Sequence, residues 1–126
     1  MDDTQERHQF VLADVSNAMV KLHKEQFGRG PTKARCGFAS PDLLVCALED
    51  PLLPAEIKMV ELGEVARVRD SRTSFQAATA SDFIEAVENI VHRKVRAFAS
   101  GIDPERNVVF ENFYFEQGAS NGNAAP

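Results

Sequence analysis

Arg29 and Arg72 are the residues of this chain whose chemistry most invites a ligand. A guanidinium is a planar, permanently charged fork that holds a carboxylate or phosphate through two parallel hydrogen bonds. Arg29 stands between two glycines in Gly28-Arg29-Gly30-Pro31. Glycine takes backbone angles closed to other residues and the proline holds Gly30 extended, so the arginine is pushed toward solvent. Arg72 falls at the helical spacing of Val65, Val68 and Phe75, which lays its stem on the buried side of a helix and obliges its charge to find a partner. Two readings follow for Arg72. Either the partner is internal, as in a structural ion pair, or Arg72 and Arg29 converge on a small anion or on another protein's carboxylate, with Arg67 and Arg69 adding to the field. The candidate binding residues are therefore Gly28, Arg29, Gly30, Pro31 and Arg72.

The remaining reactive side chains are sparse. Cys36 and Cys46 fall in segments that read as neighbouring strands, where a ladder can bring them face to face as a redox pair; otherwise they are two small buried apolar residues. His8, His23 and His92 lie in or beside helical segments with no companion Cys or carboxylate at ligand spacing, so no metal site is expected, and His23 reads as a packed structural histidine. No serine or cysteine occupies a nucleophile elbow, and no phosphate-loop or dinucleotide glycine pattern occurs, so no catalytic residue and no cofactor are assigned. The expectation is a protein that is not an enzyme.

Composition narrows the partners. The chain has 126 residues, of which 44% are hydrophobic, enough for one domain with its own core. A net charge of −5 argues against a nucleic-acid binder, whose affinity comes largely from neutralising phosphates. The longest wholly apolar run, Leu43 to Leu48, is far too short to cross a bilayer, and Met1-Asp2-Asp3 lacks the basic-then-apolar form of a signal peptide. A cytoplasmic protein without direct membrane insertion is expected.

The elements that would position these residues follow from periodicity. A first helix is expected from Asp3, as cap with Glu6, to Phe27-Gly28, burying Leu12, Val15, Met19 and Leu22. Thr32 to Phe38 and Leu43 to Leu48 form a hairpin about the turn Ala39-Ser40-Pro41-Asp42. Pro54 and Glu56 open a helical region weakened at Gly63, with a fresh start near Thr79. Its strongest stripe is Phe83, Ile84, Val87, Ile90 and Val91. Val95 to Ser100 and Asn107 to Phe115 close the domain as a second hairpin. The last strand sets Val108, Phe110 and Tyr114 on one face and Val109, Glu111, Phe113 and Phe115 on the other, with Phe113 assigned to the exposed side of the sheet when a docking surface is considered. Its run from Glu111 to Gly118 is similar to a protease-cleavage tag but imperfectly so, and reads as native strand.

The result is an α+β domain over residues 4–116, order α-β-β-α-α-β-β, with an antiparallel sheet of about four strands packed on helices, and a disordered tail at 117–126. Leu43 to Leu48 and the last strand are apolar on both faces, which predicts coverage on both sides and a homodimer.

Element order, Gly28-Arg29-Gly30-Pro31 and Leu53-Pro54-Ala55-Glu56 resemble the MpsC-like family over about residues 5–116. The resemblance implies a component of a sodium-translocating, membrane-potential-generating system whose membrane partners are associated with uptake of dissolved inorganic carbon. It implies further a non-enzymatic accessory or interaction domain, peripheral to the inner membrane through contact with transport subunits. The alternative is a small-anion sensor built on Arg29 and Arg72. One departure is evident: where family members often carry polar residues on the third strand, this chain has Ala97, Ala99 and Gly101.

Overall fold

The computed structural model describes residues 3–117, with side chains from Gln5 onward. The capping role expected of Asp3 and, apart from Gln117, the tail lie outside the described residues. The order is α1 (Asp3–Phe27), β1 (Lys33–Ser40), β2 (Leu43–Glu49), α2 (Pro54–Glu61), α3 (Val65–Val91), β3 (Val95–Asp103) and β4 (Val108–Phe115). It is the expected α+β arrangement of two hairpins and helices.

The two hairpins join through their inner strands. The sheet runs β1-β2-β4-β3, every neighbour antiparallel, an order the sequence did not give, and it puts the two most apolar strands at the centre. Leu44, Cys46 and Leu48 of β2 and Val109, Phe113 and Phe115 of β4 face the helices and are fully buried. Val15 and Met19 of α1 and Phe83 and Val87 of α3 meet them in one core.

The other face is not covered. Phe110 is 40% exposed and Tyr114 36%, with Ala97, Ala99 and Gly101 exposed beside them on β3. The double-sided apolar character of β2 and β4 is thus met by helices on one side only. Phe113 is corrected by the same alternation: it lies in the core, not on the open face.

Helix boundaries also differ in part from the periodicity. The break falls at Gly63, whose φ of 86° is open to glycine at little steric cost, and Leu62 and Gly63 return their N–H groups to the end of α2. No second start occurs at Thr79. Its hydroxyl bonds back to the Phe75 carbonyl at 2.9 Å, a local contact that a continuous helix tolerates, so α3 runs unbroken to Val91. At its end His92 takes a left-handed conformation, φ 61°, and donates its N–H to the Glu88 carbonyl.

Arg93 does not serve the helix terminus alone. It bonds the Pro41 carbonyl, Asp42 Oδ1 and the Glu116 carbonyl, tying the first hairpin's turn to the end of β4.

Phe83 is fully buried while Ile90, in the same stripe, is only half-buried. Phe83→Ala should therefore cost about 3–5 kcal/mol in a denaturant melt, and Ile90→Ala less, because the cavity term grows with the packing removed.

Candidate functional site

The strand registers bring polar side chains into one row on the helix-facing side of the sheet. Cys36 lies opposite Cys46, Cys46 opposite Glu111, and Glu111 opposite Ser100, so the row crosses all four strands. Alternation alone puts Glu111 in an apolar phase between Val109 and Phe113, and the sheet's position under the helices buries it completely.

The helices supply what a buried carboxylate needs. His23 extends the Val15 and Met19 line of α1 by one further turn and is itself fully buried, its Nε2 lying 2.9 Å from Glu111 Oε2. Gln76 of α3 donates its Nε2 hydrogen to the same oxygen at 2.9 Å. Two aromatic rings hold the imidazole: Phe83 meets it edge-on at 5.4 Å and Phe27 at a tilt at 5.7 Å. Among the described residues Glu111 Oε1, Gln76 Oε1 and His23 Nδ1 have no partner. A carboxylate in this layer is stabilised through the donors that α1 and α3 bring to it, so the three side chains act as one structural unit.

Arg72 lies beside this centre and is buried as expected, 2% exposed. The anion it meets is the chain's own. Nε donates to Glu56 Oε2 at 2.8 Å, Nη2 to Glu56 Oε1 at 2.6 Å and to the Pro51 carbonyl at 3.1 Å, and the guanidinium carbon stands 3.7 Å over the Phe27 ring. Glu56 Oε1 also accepts the Leu53 N–H at 2.8 Å, so one carboxylate caps α2 and fastens it to α3. Burial pushes the Glu56 carboxyl up. The hydrogen bond from Arg72, that from Leu53 N–H and the Arg72 charge outweigh it and hold the group below the ordinary carboxylate value. Arg72 Nη1 has no partner among the described residues. The Arg72 residue borders, with Gln76 and Ser100, a void of about 10 Å³.

The glycine-rich motif proves to be a packed turn. Gly28 has φ 81° and donates its N–H to the Lys24 carbonyl at 2.9 Å, closing α1. A Cβ placed on Gly30 would lie 3.0 Å from the Val20 carbonyl oxygen, and Pro31 is buried, so the segment folds back tightly on α1. Arg29 is half-exposed, and no contact joins it to Arg72 among the described residues.

The thiol end of the row is also organised. The two cysteines are free, and Cys46 and Ser16 of α1 are the neighbours that act on the Cys36 thiol. The Cys46 contact lowers the Cys36 pKa, against burial, with help from Ser16. Cys46 is pushed up by the Cys36 contact, by burial and by the nearby charges of Cys36 and Glu111.

Glu56, Gln76 and Glu111 were not singled out by the sequence as functional. For Glu111 a signal existed, since a carboxylate in the buried phase of a central strand must find a donor, and His23 lies in register with the buried line of α1. Elsewhere, a cleft of about 560 Å³ is lined by His8, Val11, Phe38, Ser40, Pro41, Val91 and Arg93. Among the described residues there is no group of three or more His, Cys, Asp or Glu able to hold a metal ion.

Comparison with known proteins assigns the family. Residues 8–117 match the family described as "Na+-translocating membrane potential-generating system (MpsC)", nearly the whole chain, and the chain belongs to it. No curated protein and no solved structure matches. No helix of the described residues is long and apolar enough to cross a membrane.

Two outcomes test the polar centre. Glu111→Ala, which strands His23 and Gln76 in the core, should cost about 3–5 kcal/mol in urea unfolding, with Glu111→Gln costing less because one acceptor oxygen is kept. For Glu56 the folded pKa lies below the unfolded one, so its contribution to stability is present above the unfolded carboxylate pKa. It is lost as pH falls through the folded value. Melting temperatures followed down through the acid range should show Glu56→Gln less stable than wild type at neutral pH, with the difference closing on acidification.

Proposed function

We propose that this chain is a non-enzymatic accessory domain of a Na+-translocating, membrane-potential-generating system and that it works by docking through its open sheet face, closed by a second copy of itself. Family membership supports the system, and the uncovered apolar face supports the mode of action. Contact with membrane transport subunits, and the link to inorganic-carbon uptake, belong to the same reading.

The open face is self-complementary in register. Its rows read Lys33, Glu49, Val108, Asp103; then Arg35, Ala47, Phe110, Gly101; and at the far end Leu43, Tyr114, Ala97. A two-fold axis along the strands, between β2 and β4, sets each row against itself reversed. Phe110 then lies over the partner's Ala47, large against small, Tyr114 over the partner's Leu43, and Lys33 over the partner's Asp103. Stacked sheets pack about 10 Å apart with strands inclined by about 30°, a geometry this small-residue β3 shelf permits. The departures from family pattern at Ala97, Ala99 and Gly101 thus fall on the docking face.

An anion sensor built on Arg29 and Arg72 finds less support, because the Arg72 fork is already filled by Glu56.

Light scattering should give a dimer for the wild type and a folded monomer for Phe110→Arg. Lys33→Asp should weaken the dimer and the double variant with Asp103→Lys should recover it. A clean wild-type monomer at high micromolar concentration removes the dimer. For the system itself, cells lacking this gene should show reduced Na+-dependent polarisation of a potential-sensitive dye, restored by wild type and not by Phe110→Arg.

A further inference from the structure

The sheet register places the two cysteines of the chain directly opposite one another on neighbouring strands and on the same face. Opposed residues of an antiparallel pair have Cα atoms roughly 4.5–5.5 Å apart, inside the window of about 4.4–6.8 Å that a disulfide spans. Both side chains lie on the helix-facing side of the sheet, Cys46 within the core and Cys36 packed against it.

From this juxtaposition we propose that Cys36 and Cys46 are a peroxide-oxidised dithiol site, with Cys36 the attacking thiol and Cys46 the resolving one. The division of roles follows from placement. Cys36 is half-buried on the edge strand β1 and keeps partial solvent exposure, whereas Cys46 is fully buried on β2. Cys36 is also the thiol whose anion is favoured, by the hydrogen bonds from Cys46 and Ser16, and the thiolate is the nucleophile.

The chemistry balances as follows. The Cys36 thiolate attacks the outer oxygen of a hydroperoxide, the O–O bond breaks, and the leaving alkoxide or hydroxide takes a proton to become alcohol or water. Cys36 is oxidised to the sulfenic acid while the peroxide is reduced. The Cys46 sulfur then attacks Cys36 Sγ, the S–O bond breaks, and the hydroxyl leaves as water with the Cys46 proton. The product is a bond that clamps the edge strand to the central one, takes Cys36 from the Ser16 hydroxyl and sits beside Glu111.

Purified chain, reduced and then exposed to hydrogen peroxide, tests this directly. The intact mass should fall by two hydrogen atoms, both thiols should resist alkylation under denaturing conditions, and peptide mapping should show Cys36 joined to Cys46 within one chain. Dithiothreitol should reverse all three. In Cys46→Ser a sulfenic acid should persist on Cys36 and be trapped by dimedone, while in Cys36→Ser the remaining thiol should stay alkylatable. Should either variant fail to fold by circular dichroism, the wild-type mass and peptide map decide alone. Thiols that remain free after peroxide, a disulfide only between copies, or Cys36 carried on to sulfinic acid in the wild type would each overturn the proposal.

Discussion

Because the helices lie on one side of the sheet, alternate residues of every strand are divided between a dry layer and an open one. That division governs the rest of the molecule. In the dry layer any polar group must be partnered, so Glu111 on β4 dictates what stands above it, and α1 and α3 answer with His23 and Gln76. In the open layer no such demand exists, yet β2 and β4 remain apolar there, with Val45, Ala47, Phe110 and Tyr114. The proposed docking rests on this apolar strand pair at an uncovered face.

The two short motifs that carry the family resemblance have structural work within the domain. In the first, Gly28 closes α1 with a left-handed residue, and Gly30 permits an approach to the Val20 carbonyl that a side chain would crowd. In the second, Pro54 begins α2 with a preset φ, while Glu56 three residues beyond the Leu53 cap holds both the cap N–H and the Arg72 fork. Four electrostatic functions thus meet at one carboxylate: helix capping, dipole complementation, an ion pair and the docking of α2 on α3. Phe27, at the end of α1, completes the arrangement by lying under the guanidinium and against Phe75.

The sulfur end of the polar row and its carboxylate end are neighbours through Cys46 and Glu111. The contact between the thiols favours the Cys36 anion and disfavours that of Cys46, burial disfavours both, and the Ser16 hydroxyl and the Glu111 charge add smaller effects in the same directions as the contact. The asymmetry between two chemically identical residues therefore comes first from their contact with each other and from burial, with Ser16 and Glu111 adding to it. Nothing local to either cysteine would produce it.

Period and punctuation in the sequence determined the element types, their order and the buried side of α1 and α3, because side-chain alternation and helical repeat are properties of the local chain, whereas the strand order came only with the fold. They also placed Arg72 on a buried face and obliged it to have a partner. Only the tertiary structure decided that this partner is Glu56, that Cys36 and Cys46 are opposed, that Glu111 lies under His23 and Gln76, and that Phe113 belongs to the core while Phe110 faces outward. Each of these depends on strand register and on which sheet face the helices choose. Residues 88 positions apart, as His23 and Glu111 are, share no local signal. They meet because two separate hairpins pair through their inner strands, and a one-residue slip in that pairing would exchange the two faces completely.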